Sequence, residues 1–339
     1  MNGPSSVVVL AGGLSHEREV SLRSGRRVAQ ALRGQGLDVI ETDADSTLVD
    51  QLERAGEVVV FPLLHGEAGE DGSLREVLSL LDVPFVGAVA SASRMTFDKS
   101  IATRVIADAG VPTPAQIALP HETFRELGAA SLVRALGDQL GFPMMVKPAK
   151  GGSALGCTKV TSAEQLPAAM VAAYAYGQVA VVESFVDGTE ITVAVIDRGS
   201  GPEALPAVQI QPESGIYDYA ARYTAGRTRF ICPAQLPDEV ADRAADTALT
   251  VHRLLGLADL SRTDLIVAAD GRPYFLEANV APGMTETSAL PLAVEAAGWD
   301  LGTISADLVR NAWERGVRTS VGSRPGSASG ASVGNRHDR

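Results

Sequence analysis

Apolar residues recur along the N-terminal part of the chain in two alternating rhythms. Short apolar runs stand at 7–10, 37–40 (broken only by Asp38) and 58–63. Between and after them, at 19–32, near 47–54 and at 74–81, apolar residues return every three or four positions. The first rhythm predicts buried strands and the second amphipathic helices. Phe85-Val86 opens one more short strand. Such alternation predicts a parallel sheet with helices on both faces. Ligands of these sheets bind at the carboxyl ends of the strands. Three polar loops leave those ends: Gly12-Gly13-Leu14-Ser15-His16-Glu17, the loop near Asp43, and the segment from His65 to Gly72.

The pattern changes after Lys99. A helix is predicted over 100–109, closed by Gly110 and followed by the stiff Val111-Pro112-Thr113-Pro114. Another spans 132–140. Met144-Met145-Val146-Lys147-Pro148 reads as a strand with one lysine in an apolar run, opening into Ala149-Lys150-Gly151-Gly152-Ser153-Ala154-Leu155-Gly156. Backbone N–H groups in a glycine-rich loop can cradle phosphate. Because the lysine precedes the glycines, this is not a Walker loop. A buried lysine without a partner is costly, so Lys147 is expected to meet an anion. Strands follow at 179–183 and 191–196, joined by a turn over 185–190 that places Glu183 and Glu190 around an apolar pair. Residues 211–230 are aperiodic and rich in Tyr, Arg and Gly, as in a lid that closes on a ligand. Helices are predicted at 239–255, 290–297 and 301–314. The Ser-, Gly- and Arg-rich residues 319–339 read as a disordered tail.

The most informative segment is the hairpin around Asp270-Gly271. A two-residue turn there pairs Ala269 with Arg272, Asp264 with Glu277, and Arg262 with Asn279. Residues two apart on a strand share a face, so one face carries Arg262, Asp264, Glu277 and Asn279. Opposed carboxylates repel, and a hard cation such as Mg²⁺ relieves the repulsion. An arginine beside such a cation points to phosphate chemistry.

Composition narrows the classes. The 339 residues predict two or three domains. A net charge of −12 argues against nucleic-acid and anionic-membrane partners. Cys157 and Cys232 have neither metal-type spacing nor a disulfide framework, which suits a reducing cytoplasm. No signal-length or membrane-length apolar stretch is present. A dinucleotide-binding reading of the first domain fails, because Gly12-Gly13 lacks the G-x-G-x-x-G spacing and Glu17-Arg18 would block close helix approach.

Taken in order, these segments resemble the D-alanine–D-alanine ligase family of the ATP-grasp superfamily. The matching motifs are Gly12-Gly13-x-Ser15-x-Glu17-Arg18-Glu19-Val20-Ser21, His65-Gly66 with Gly69-Glu70-Asp71-Gly72, Asp98-Lys99, Val146-Lys147-Pro148, Gly152-Ser153, Glu183 through Glu190, Tyr217-Asp218-Tyr219 with Tyr223, Arg262-x-Asp264, and Leu276-Glu277-Ala278-Asn279-x-x-Pro282-Gly283-Met284-Thr285-x-x-Ser288. They extend to about Arg315. The resemblance implies an α/β, three-domain ATP-grasp fold with a Rossmann-like parallel-sheet domain at 1–95, a central subdomain at 96–183, a C-terminal subdomain at 184–318 and the tail at 319–339. It implies ATP-dependent joining of two D-alanines through an acyl phosphate, for peptidoglycan precursor synthesis, by a cytoplasmic homodimer acting on small molecules.

Residue roles follow by the same resemblance. Asp264, Glu277 and Asn279 hold two Mg²⁺, with Mn²⁺ as a substitute. Lys99, Lys147, Ser153 and Arg222 face the ATP phosphates. Glu183 and the Val186 backbone read adenine, and Glu190 the ribose. Glu17 receives the first ammonium group beside His65, while Arg222 and Ser288 receive the second carboxylate. Arg262 and the Gly283 N–H stabilise the oxyanion, and Ser153 and Tyr223 latch loop and lid through Glu17.

Three segments depart from the family pattern. Arg222 replaces a common lysine, Leu74-Arg75-Glu76 replaces a segment with Gln-Gly, and Gly151 and Ala154 stand where glutamate and serine are frequent. They keep open an ATP-grasp ligase with a different second substrate, such as a D-hydroxy acid.

Overall fold

The computed structural model of the protein describes residues 3–213, 215, 217, 221, 222, 224 and 226–322. Three sheets organise it. The first is parallel, in the order β2-β1-β3, from β1 (Ser6–Leu10), β2 (Val39–Thr42) and β3 (Val58–Pro62). Successive β residues point to opposite faces, and both faces are covered as expected. Val7, Val9, Val59 and Phe61 pack against Val28 and Leu32 of the helix Arg18–Gly34. Val8, Leu10, Val58 and Val60 pack against Leu48, Leu52 and Leu78. Phe85 adds a single parallel bridge to Val60.

The second sheet has the order β4-β7-β5-β6, from β4 (Gln116–Pro120), β5 (Met144–Pro148), β6 (Thr158–Val160) and β7 (Val179–Ser184). Its neighbouring strands are antiparallel. The third is also antiparallel, in the order β11-β10-β8-β12-β13, with β9 on β8. Its strands are β8 (Gly188–Asp197), β9 (Pro202–Ala204), β10 (Val208–Pro212), β11 (Thr228–Ile231), β12 (Leu260–Ala268) and β13 (Pro273–Asn279). The helix Asp238–Leu254 lays Val240, Ala244, Ala248 and Val251 against this sheet. The C-terminal helix Leu301–Gly322 carries Leu308, Val309 and Ala312 into one core with Val28, Leu32, Ala194 and Met284. That core crosses from the first sheet to the third.

Several expectations need correction. The hairpin does not close with a two-residue turn. Ala268 N–H donates to Arg272 O and Gly271 N–H donates to Ala268 O, which places Ala269, Asp270 and Gly271 in the loop. Leu265 therefore pairs with Phe275, one residue out of the expected register, and a bulge at Leu276 restores it. Asp264 still faces Glu277, and Arg262 still faces Asn279. The turn assigned to 185–190 is shorter, because β8 begins at Gly188. Residues 319–322, assigned to the tail, belong to the last helix, which runs to Gly322, and the rest of that assignment lies outside the described residues. Among the described residues, no helix is long and apolar enough to cross a membrane.

Candidate active site

Two cavities adjoin between the second and third sheets and the carboxyl end of the first. One, of about 650 Å³, is lined by Lys147, Glu183, Val186, Glu190 and the bulged Leu276. The other, of about 470 Å³, is lined by Glu17, His65, Ser153, Arg262, Asn279, Gly283 and Ser288. Lys99, Arg222, Asp264 and Glu277 line both, so the site's most charged groups occupy the seam.

Local structure explains each placement. Asp98 caps the helix Lys99–Asp108, its carboxylate accepting from Ser100 N–H at 3.1 Å. Lys99 is thereby fixed at the first helical position. Its Nζ donates to Gly151 O at 2.6 Å and lies 3.3 Å from Glu277. Lys147 and Glu183 sit two residues out of register on adjacent strands and share a face. They form a buried ion pair at 2.8 Å, so the anion anticipated for Lys147 is supplied by the chain itself. Arg262 holds Asp264 with two parallel bonds, Nε to Oδ1 and Nη2 to Oδ2, each 2.8 Å. Thr192 Oγ1 adds a third donor to Asp264 at 2.6 Å. Ser153 and Ala154 both adopt left-handed backbone, with φ of 56°. That conformation is uncommon outside glycine. It aims the Ser153 hydroxyl across the cavity, where it donates to Glu17.

The loop that carries Gly283 is tied down from the N-terminal part. Ser24 Oγ accepts from Met284 N–H at 3.0 Å, and His65 Nδ1 lies 3.0 Å from Ala281 O. Ser288 is bound to Thr285 by two contacts, 3.1 Å to the N–H and 2.8 Å to the hydroxyl. Gly283 faces that serine so closely that an added Cβ would fall 2.7 Å from Ser288 Oγ.

Charge in the seam is strongly shaped. Burial works against ionisation of Glu277, but Lys99, Arg222, Lys147 and Arg262 outweigh it and hold the carboxyl well below its ordinary range. Burial also opposes the charge on Arg262, which Asp264 more than restores. Glu190 has no comparable compensation, and burial pushes it up to about 7. Burial lowers His65 below the usual imidazole range.

Sequence reasoning missed Glu70 as a site residue. It lies in the second cavity, accepts from Gly66 N–H at 3.0 Å, and is pushed up to about 7 by burial and then by Glu17. It also missed Ser24 and Thr192, whose hydroxyls orient functional groups without a motif of their own. Tyr223 lies outside the described residues, so its latch role belongs to the sequence reading alone.

Among the described residues, no three His, Cys, Asp or Glu side chains are arranged as a metal cluster. The oxygen donors available are two carboxylates and one amide, Asp264, Glu277 and Asn279. Asp264 and Asn279 fall on one face of β12 and β13, opposite Glu277 and Arg262 respectively. Asn279 Oδ1 accepts from Ala281 N–H at 2.7 Å and keeps a second lone pair. Hard oxygen donors in this number fit Mg²⁺ that completes its shell with phosphate and water.

Comparison with known proteins agrees with this geometry. The family pattern described as D-ala D-ala ligase C-terminus matches residues 105–310. The D-alanine–D-alanine ligase of Bordetella petrii is 39% identical over 306 residues, covering 90% of this chain and 91% of that one. That of Desulforudis audaxviator is 39% identical over 310 residues, covering 91% and 98%. Among solved structures, the D-alanine–D-alanine ligase of Bacillus anthracis complexed with ATP superposes with a TM-score of 0.77 at 26% identity, covering 93% and 99%. The VanG D-Ala:D-Ser ligase of Enterococcus faecalis gives 0.78 at 25% identity, covering 91% and 99%. Order of motifs, fold and similarity over nine-tenths of the length converge: the chain belongs to the D-alanine–D-alanine ligase family.

Proposed function

We propose that the protein is an ATP-dependent ligase that joins two D-alanines into D-alanyl-D-alanine for peptidoglycan precursor synthesis, acting in the cytoplasm as a homodimer. One observation carries the reading. A cavity of nucleotide size and one of dipeptide size meet at a seam of two carboxylates and two cations, with Lys147 on one side of it and Arg262 on the other. Phosphoryl transfer between the two ligands would occur there, where fixed charges act at short range.

In this reading adenine lies against Val186 and Leu276, with Glu183 at its polar edge and Glu190 at the ribose. Burial raises the Glu190 carboxyl and so favours its protonated form, which can donate as well as accept toward paired hydroxyls. Lys99, Lys147 and Arg222 take the phosphates. Asp264, Glu277 and Asn279 would hold Mg²⁺, which supplies charge neutralisation at the terminal phosphate. Glu17 receives the ammonium of the first D-alanine beside His65 and Glu70. A carboxylate oxygen of that D-alanine bonds to the γ-phosphorus, the bond from γ-phosphorus to the β–γ bridging oxygen breaks, and ADP leaves. The amine of the second D-alanine, its carboxylate at Ser288 and Arg222, then attacks the acyl carbon. Arg262 and the Gly283 N–H stabilise the tetrahedral oxyanion. The C–O bond to phosphorus breaks, and phosphate leaves with the proton lost by the amine. The units 1–95, 96–183 and 184–318 are the bodies that meet at the seam.

The test is phosphate release against a panel of D- and L-amino acids and D-lactate, with mass spectrometry of the product. D-Alanine alone should give rapid release and the dipeptide mass. Preference for D-lactate as second substrate, giving a depsipeptide, would overturn the acceptor assignment.

A further inference from the structure

Arg222 is anchored in an unusual way. Its guanidinium carbon lies 4.3 Å from the centre of the Tyr217 ring, stacked on the ring face. Tyr217 in turn meets Phe230 edge to face, with centroids 6.2 Å apart and planes at 87°. Phe230 belongs to β11 and packs against the central core. A continuous stack therefore runs from the scaffold through one ring to a cation at the seam. Arg222 Nε is buried and has no hydrogen-bond partner among the described residues. Both Tyr217 and Arg222 line both cavities.

We propose that Phe230 and Tyr217 form a positioning stack that holds the Arg222 guanidinium at the seam, where it meets the terminal phosphate of the nucleotide. The physical argument is the shape of the side chain. A planar, delocalised guanidinium lies flat on an aromatic face and keeps its N–H edge free for oxygen ligands, whereas an ammonium is a compact point charge without a plane to orient. Tyr217 thus fixes the direction of the donors as well as the position of the charge. The stack acts on binding of a triphosphate, so it rests on the nucleotide reading of the larger cavity but not on the identity of the amino acid.

The test compares calorimetric affinities for a non-hydrolysable ATP analogue and for ADP, each with Mg²⁺, across single and double variants. Tyr217→Leu removes the ring face and should weaken the analogue about 3- to 30-fold, with ADP affinity nearly unchanged. Tyr217→Phe keeps the face and should retain the analogue's affinity. In the Arg222→Ala background, Tyr217→Leu should have no further effect. Phe230→Leu probes the stack from the scaffold side and should shift the analogue in the same direction. Equal weakening of analogue and ADP, or a Tyr217→Leu effect that persists without Arg222, would overturn the proposal. Neither ligand turns over, so a protein that used an acceptor other than D-alanine would still give this pattern.

Discussion

Asp264 and Glu277 face each other across β12 and β13, and each carboxylate is matched to its own cation, Arg262 at 2.8 Å and Lys99 at 3.3 Å. Lys99, with Arg222, Lys147 and Arg262, holds the Glu277 carboxyl below its ordinary range, at the point where phosphate charge would develop. Glu277→Gln keeps the shape and removes one charge. Turnover should fall about 10²- to 10³-fold, and the Mg²⁺ concentration for half-maximal rate should rise. Steady-state phosphate release over a Mg²⁺ titration measures both. Near-normal turnover would detach Glu277 from the chemistry.

The buried Lys147–Glu183 pair makes a different prediction. Removing one partner leaves an uncompensated buried charge, at a cost of about 3–5 kcal/mol. Lys147→Met should therefore lower both the melting temperature and ATP affinity. The double variant Lys147→Met with Glu183→Gln should recover most of the melting temperature and none of the ATP affinity. Thermal melts and calorimetry separate the two effects. Recovery of ATP binding in the double variant would contradict the role given to Lys147.

Gly283 tests the oxyanion loop. An added methyl would collide with Ser288 Oγ at 2.7 Å. Gly283→Ala should displace Ser288, raise KM for the second D-alanine and lower kcat, with KM for ATP within about twofold of wild type, because Gly283 and Ser288 line only the second cavity. A kinetic matrix over both substrates distinguishes this from general damage, which would raise both KM values.

Glu70 gives a pH prediction. Burial and the neighbouring Glu17 raise its folded pKa to about 7 from 4.5. Arg262, Lys99 and the buried Arg75 oppose this. Between those values the folded state holds a proton that the unfolded state has lost, so stability present below pH 4.5 is lost progressively as pH rises towards 7. The total is roughly 3 kcal/mol. Glu70→Gln keeps the acceptor for Gly66 N–H and removes the titration. The variant should gain stability over wild type at pH 8 and show no gain at pH 4. Denaturant unfolding at the two pH values reads the difference, and an equal shift at both would contradict it.

Much of the site was legible because its chemistry repeats at fixed spacings. Arg262 and Asp264 alternate on one strand and Glu277 and Asn279 on the next, so period-two geometry puts each pair on one face. The errors have local causes. The Asp270-Gly271 signal suggested a two-residue turn, but a three-residue loop formed, and only the bulge at Leu276 preserved the pairing. That bulge leaves no mark in the residue types. β4 escaped notice because it is a half-exposed edge strand ending in Pro120. Arg75 reads as surface in a helix, yet it is 1% exposed and donates to Gly69 O, which only tertiary packing decides. Glu70 was hidden for the same reason.

The central claim is that a D-alanine carboxylate is activated by transfer of the γ-phosphoryl group before the peptide bond forms. D-Alanine carrying ¹⁸O in its carboxylate tests this directly. In an acyl phosphate, one carboxylate oxygen bridges to phosphorus and leaves with it when the amine attacks. Mass spectrometry of the released phosphate should find one ¹⁸O per phosphate, in step with dipeptide formation. Phosphate free of ¹⁸O, alongside the same dipeptide, would contradict the mechanism.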